Sequence, residues 1–541
     1  MPKNHVNSRV LVFQLVIVLG VCAFLFFFGL GAFGLVGADE PRYAQIAREM
    51  FARHDWIVPT LNGSPWMEKP VLLYWKVINS YRILGVSDWA ARVPSAFHAT
   101  GLALSVFFFM RRFRPGSELD AACITASCFA VIGFGRGAST DMLLSAPFCV
   151  AMLAWWAWHQ TERKLWLAGF YALLAVGALA KGPVAAALAV LIVGAYALCR
   201  RDAKIFLRSL WWPGFLLFFA VALPWYVALQ IKVPQFFRFF FYEQNLQRFG
   251  TNRYQHSQPF WYYLPVFLLS VFPWVVFTVS AIIDAVKSAI ARLRALRSSE
   301  NSNEISEDWL PLFLLLWMAI PVIFFSISRS KLPGYILPAI PAAALLTANY
   351  LHSRPEAINR LRLLLHALLC GALVGIALYA PWRMLKQAPT SRGVLGMAMA
   401  TAAIALAVLL IVQRGGLRVL RFATLLPLVL CVGFLLRPAA QAIDDANSAR
   451  PVSILLNHFW PSPGPIAVFN VKRDVEYGLN FYRNTPVSRY ERDGVPNESH
   501  VVVAREGSAA ALRSLVGPRS IREFGNFPPQ HLEFFVVTSA R

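Results

Sequence analysis

The sequence is short of charge, and of negative charge most of all. Only 15% of its 541 residues are charged, and 28 acidic side chains stand against 51 basic ones. An ordinary soluble domain is about 25% charged, so this chain cannot clothe a water-soluble core. Cysteine is sparse as well. Its seven copies, Cys22, Cys123, Cys128, Cys149, Cys199, Cys370 and Cys431, all fall in apolar segments. No CxxC or metal-type spacing links them, which excludes a disulfide framework and a zinc finger and leaves them as small core hydrophobes. An internal repeat is missing, which counts against a secondary transporter built from repeated halves. Short alternating strands are missing too, which excludes an outer-membrane barrel.

Long apolar runs are present instead. Hydrophobic residues make up 57% of the chain, with a mean hydropathy of +0.52. Apolar segments cover 10–36, 92–110, 119–134, 141–160, 165–181, 183–199, 209–230, 259–285, 309–328, 334–351, 361–381, 391–413 and 419–436. These spans predict about thirteen transmembrane helices. A tight turn is expected at Lys181-Gly182-Pro183, where Gly-Pro stops a helix. The stretch 72–85 is short and carries Lys76 and Arg82, so it is expected to lie on the membrane surface. The first apolar run is too long for a signal-peptide core and reads as a retained helix.

The net charge of +23 follows the loops rather than announcing nucleic acid. With the N-terminus in the cytoplasm, every inside loop is basic, from Arg111, Arg112 and Arg114 through Arg163 and Lys164 to Arg414, Arg418 and Arg421, as the positive-inside rule requires. The odd helix count then places the tail outside, in the bacterial periplasm. The expected architecture is a multi-pass α-helical membrane domain, 1–436, with large outside loops 37–91 and 231–258, followed by a soluble α/β domain, 437–541. The tail is nearly neutral, with 12 basic and 10 acidic residues. It has strand-like runs at Pro465–Val471, His500–Ala504 and Leu532–Thr538.

Five groups of residues could carry chemistry, all at the outside face. The first is Asp39-Glu40-Pro41-Arg42-Tyr43, just beyond the first helix. Pro41 suits the first turn of a helix, with Asp39 or Glu40 as the cap before it; a merely capped, solvated helix would read the same way. The second is Arg136 to Asp141, with Asp141 at the rim of an apolar helix, where an ionisable residue is costly; a plain cap is the alternative. The third is Pro65-Trp66-Met67-Glu68-Lys69-Pro70, where Lys69 suits a phosphate and an exposed ion pair is the alternative. The fourth runs through an aromatic loop with Glu243, Asn245, Arg248 and His256. Here Glu68 and His256 could share a divalent metal, although a lone histidine more commonly makes a surface hydrogen bond. The fifth is Ser328 to Pro338, where Arg329 and Lys331 break the positive-inside bias. A bound phosphate explains such an exception, and so does a snorkelling pair. Lys181 is a weaker case of the same kind.

Together these motifs resemble the GT-C class of polyprenyl-phosphate-dependent glycosyltransferases, which includes the protein O-mannosyltransferases and the aminoarabinose transferases of lipid A. Asp39 to Tyr43, Arg136 to Asp141, Lys181-Gly182-Pro183, Glu243-x-Asn245-x-x-Arg248 and Ser330-Lys331-Leu332-Pro333-x-Tyr335 fall in that class's order. The resemblance is strongest over residues 1–350, and its nearest branch is the aminoarabinose transferases. It implies a sugar donor on undecaprenyl phosphate, a lipid A acceptor, surrounding membrane lipids, no nucleic acid and no required cofactor. It also implies Asp39 and Asp141 as catalytic carboxylates, with Arg42, Tyr43, Lys69, Arg329, Lys331 and Tyr335 at the phosphates. Glu40, Glu243, Asn245 and Arg248 would complete the site. A hydroxyl-accepting mannosyltransferase-like enzyme and a non-enzymatic carrier of lipid-linked sugar stay open as alternatives.

Overall fold

The structure, a computed structural model, describes residues 8–247, 258–298, 308–460 and 464–539. Every expected apolar segment contains helix, but the first, 10–36, is helical only as far as Phe27. Among the described residues, ten helices are long and apolar enough to cross a membrane, and the number is twelve if two bent pairs each count as one span. The thirteenth segment, Val184–Arg200, has 17 residues. At 1.5 Å per residue it reaches about 25 Å, short of a hydrocarbon core of about 30 Å. The expected tight turn is present. The helix Lys164–Lys181 ends at Gly182, whose φ is +87°, and Pro183 opens the next helix.

The bent pairs are Glu118–Ser127 with Phe129–Arg136, at 62°, and Phe260–Ser270 with Val275–Leu296, at 117°. Their breaks face one another. Phe129 N–H donates to the Phe272 carbonyl at 3.1 Å, and Trp274 Nε1 donates to Ser127 Oγ at 2.8 Å. Irregular backbone survives within a bilayer only when its polar groups find such partners.

The first outside loop folds onto the bundle. It contains the helix Asp39–Ala52, a hairpin of β1 (Thr60–Leu61) and β2 (Ser64–Pro65), and the helix Leu72–Leu84. The last of these has one buried face, Leu73, Tyr74, Val77, Ile78 and Tyr81, with Lys76 and Ile83 exposed. Glu49 ties the hairpin down. Its carboxylate accepts from Thr60 Oγ1 at 2.7 Å and from the Asn62 and Gly63 amides at 2.8 and 3.2 Å.

Residues beyond 437 form the expected α/β domain. Its sheet comprises β3 (Ile466–Phe469), β4 (Val487–Arg489), β5 (His500–Arg505), β6 (Ile521–Phe527) and β7 (Leu532–Val537), in the order β4-β3-β5-β7-β6. The β4-β3-β5 part is parallel and the β5-β7-β6 part antiparallel. Alternate residues supply two cores. Val501 and Val503 pack toward one, Val502 and Ala504 toward the other, as a period of two dictates. The domain is bolted to the end of the bundle that carries Leu35 and Asp88. Tyr482 OH donates to Asp88 at 2.8 Å and accepts from the Leu35 amide at 2.6 Å. Arg450 bridges Asp444 and Asp88 at 2.6 and 2.9 Å.

One correction concerns the start of the helix at 39. Its cap position is Ala38, without a side-chain hydrogen bond, and both Asp39 and Glu40 lie inside the first turn. Glu40 turns into the protein instead. It accepts from Val36 N, Ala138 N and two nitrogens of Arg92, at 2.6–3.0 Å. Arg92 also donates to the carbonyls of Leu30, Phe33 and Gly34. Burial opposes the Glu40 charge, but Arg92 and the two backbone amides more than offset it and hold the carboxyl below its ordinary range. Its contribution to stability is therefore present above the unfolded carboxyl pKa and is lost as pH falls through the depressed folded value. Replacing Arg92 by Ala strands a buried carboxylate, a loss of about 3–5 kcal/mol. Thermal unfolding in detergent should show a large fall in midpoint at neutral pH, and a smaller fall in acid where Glu40 is protonated.

Candidate functional site

Two carboxylate–cation groups meet at the end of the bundle on which the C-terminal domain sits. The first is built on the helix at 39. Asp39 and Arg42 are one turn apart, so their side chains share a face, and they pair at 2.5 Å. The Arg42 guanidinium also lies 3.7 Å from Glu68. Three rings surround it: Tyr43 at 5.1 Å, Trp66 at 5.2 Å and Tyr477 at 5.6 Å. Burial disfavours its charge, yet the oxygens of Tyr43, Asp39 and Glu68 outweigh that and raise its pKa. Burial, reinforced by the Asp39 charge, pushes the Tyr43 phenol well up. Asp39 remains largely open to solvent, with its side chain 60% exposed.

The second group joins two membrane helices. Ser139, not Asp141, is the cap of the helix Thr140–Thr161. That frees the Asp141 carboxylate to meet Lys181 Nζ at 2.5 Å. The Lys181 ammonium sits 4.7 Å from the Tyr335 ring centre, and Tyr335 packs on Phe325 at 5.0 Å. Gly334 makes this closeness possible. A Cβ there would fall 2.6 Å from Asp141 Oδ1 and 2.8 Å from Phe134, so only glycine lets the segment descend onto the carboxylate.

Between and below these groups lies a cavity of about 390 Å³. Glu68, Lys69 and Lys181 line it, together with apolar residues that include Leu144, Ala187, Phe324 and Phe325. Gln244 and Ser330 also reach it. The neighbouring cations are placed differently. Lys331 is buried and donates to the carbonyls of Ser328 at 2.5 Å and Gln258 at 3.1 Å, so it pins its own loop. Arg329 points outward and is exposed. Glu40 serves the buried pair with Arg92 rather than the cavity. Glu243 is half-buried on the helical segment Arg238–Gln247, and only the backbone of Asn245 is described there. Arg248 and His256 lie outside the described residues, so the pairing of Glu68 with His256 does too. Among the described residues no three His, Cys, Asp or Glu side chains gather in a way that could hold a metal.

Sequence reading alone did not single out Trp66, Gln244, Gly334 or Tyr477. Trp66 and Gly334 lay inside quoted motifs without a role, and Lys181 stood out only as a cation ending an apolar helix.

The family model for dolichyl-phosphate-mannose-protein mannosyltransferases matches residues 11–240. The chain is 33% identical over 360 residues to the undecaprenyl phosphate-alpha-4-amino-4-deoxy-L-arabinose arabinosyl transferase of Edwardsiella ictaluri, covering 64% of this chain and 61% of that protein. It is 32% identical over 387 residues to the Shewanella sediminis protein of the same name, covering 70% and 65%. The matched region thus spans slightly less than two thirds of either relative. In fold, the chain superposes on ArnT from Cupriavidus metallidurans, solved bound to undecaprenyl phosphate, with a TM-score of 0.73, 22% identity and 98% of both chains covered. The chain is similar in sequence to these transferases. The resemblance read from the five motifs is borne out, and so is the expected GT-C-like membrane fold with its soluble C-terminal domain.

Replacing Gly334 by Ala should force Asp141 and Lys181 apart. Overpacking of this kind typically costs about 1–3 kcal/mol. The expected outcome is an inserted protein with a modestly lower melting midpoint and an Asp141–Lys181 separation beyond 4 Å, the limit for an ion pair, visible in a structure of the variant.

Proposed function

We propose that this protein transfers 4-amino-4-deoxy-L-arabinose from undecaprenyl phosphate to a phosphate of lipid A, at the periplasmic face of the bacterial inner membrane. The observation that carries the reading is the cavity, lined by apolar side chains together with the cations Lys69 and Lys181. An isoprenoid needs such walls, and its phosphate needs such cations. The names of the relatives supply the sugar and the lipid carrier.

In this reading an oxygen of the acceptor phosphate attacks the anomeric carbon. The bond from that carbon to the donor phosphate breaks, and undecaprenyl phosphate departs with an added negative charge. Lys69, Lys181 and Arg42 stabilise that growing charge, and fixed cations act most strongly where charge develops in the transition state. The reading requires no cofactor, because the chain supplies these cations itself. A phosphate monoester has a second pKa near 6, so the acceptor is already largely ionised and needs no base. Asp39 is then free to grip the ammonium of the aminosugar, and Asp141 holds Lys181 in place. If the acceptor were a hydroxyl, as in the mannosyltransferases, Asp39 would act as base instead. An acceptor-swap assay separates the two.

The decisive experiment is mass spectrometry of lipid A from cells with and without this protein. The aminoarabinose mass increment should appear only with it. Replacing Asp39 by Asn keeps the shape and removes the charge. Transfer should fall about 10²-fold or more, the range for losing a key acid–base or charged group. The protein level should hold, because an exposed ion pair contributes at most about 1 kcal/mol. Near wild-type transfer would remove Asp39 from the chemistry. A phosphatase reporter fused after Arg541 should be active, since the tail lies on the same face as the site; activity of a cytoplasmic reporter alone would invert the orientation.

A further inference from the structure

The helix Leu72–Leu84 has two faces. One is turned toward the site: Tyr74 is buried, with its ring 6.3 Å from Tyr43. The other carries Lys76, Asn79 and Ile83, spaced to lie along one side of the helix. This second face borders a separate hollow of about 520 Å³, also lined by Phe27, Trp89 and Phe97. The hollow shares no lining residue and no membrane helix with the cavity at Lys69 and Lys181. Its walls are open to the side, since Ile83 is 81% and Phe97 63% exposed. In a membrane protein such surfaces meet acyl chains. Lys76 is exposed beside it. It is a cation at the outer face, where the usual bias is against cations, and no carboxylate among the described residues pairs with it.

The proposed reaction needs two lipids at once. The isoprenoid fills the first cavity, so the acceptor requires another way in. We infer that the second hollow is the docking groove of the acceptor, a phosphorylated and multiply acylated lipid entering from the outer leaflet. Its anionic headgroup rests on Lys76, and its acyl chains run along Trp89 and Phe97. Lys76 is then separated from the Tyr43–Tyr74 contact by the thickness of one helix, about 10 Å. This inference rests on the function proposed above.

The test uses the full chain in phosphatidylethanolamine vesicles containing lipid A. Lys76→Glu should raise the KM for lipid A about tenfold, the loss of one charge-assisted contact, and leave the KM for the lipid-linked donor where it was. Lys76→Gln should give a smaller rise of the same kind. A photo-crosslinking side chain in place of Phe97 should capture lipid A, and Lys76→Glu should weaken that capture. An unchanged KM for lipid A, an equal rise in both KM values, or crosslinks to phosphatidylethanolamine alone would overturn the groove. Absence of sugar transfer by the unaltered chain would overturn the proposed function instead. The crosslink would still decide the groove: a lipid A adduct supports it, and no adduct refutes it.

Discussion

The buried pair of Glu40 and Arg92 organises the outer end of this protein. Removing two charges from water is costly, and their mutual attraction offsets that cost only when the remaining lone pairs and protons are also satisfied. Here they are. Two backbone amides complete Glu40, and three carbonyls at the end of the first helix complete Arg92. Three pieces of chain are thereby held in one place: the exit of the first helix, the start of the helix at 39, and the turn before Asp141. Both carboxylate groups of the site hang from this joint. Asp39 is the residue before Glu40, and Ala138 lies three residues before Asp141.

Around the joint, neighbouring cations have divided their roles. Arg92 is structural and fully enclosed, whereas Arg42 is ringed by aromatics yet linked to the exposed Asp39. Arg136 donates to the carbonyls of Leu25, Phe28 and Gly29 at 2.9–3.2 Å, closing the end of the first membrane helix. Lys331 pins a loop, while Lys181 faces the cavity. What separates these roles is the supply of backbone carbonyls. Arg92, Arg136 and Lys331 each donate to two or more carbonyls and are tied to the fold, whereas Lys181 is held by the Asp141 carboxylate at the cavity wall.

The soluble domain takes part as well. Tyr477, on the helix Arg473–Arg483, is one of the three rings around Arg42. Tyr482, on the same helix, bonds to Asp88 and the Leu35 amide. The domain is therefore registered on the bundle by buried polar contacts, which are directional where apolar packing is not. Gly34 permits the close approach, since a Cβ there would collide with Ser448 Oγ at 2.2 Å and Tyr482 OH at 2.6 Å.

The membrane architecture was legible because it rests on local facts. Runs of apolar residues, the Gly182-Pro183 stop and the continuous valine run of β5 each specify their own element, since the bilayer and the sheet accept few other solutions. Asp39, Arg42 and Lys69 could be picked out for the same reason: charges stand out against an apolar sequence. Their partners could not. Asp141 finds Lys181 across 40 positions, Glu40 finds Arg92 across 52, and Arg42 meets Tyr477 from a different domain. In the sequence, Glu40 and Asp39 are adjacent acids in one motif; only the turn of the helix sends one into the core and the other to the surface. Sequence by itself determined which charged groups stand out between the apolar segments. Tertiary structure decided which of them hold the protein together and which face the cavity, because burial and hydrogen-bond partners are properties of the folded chain.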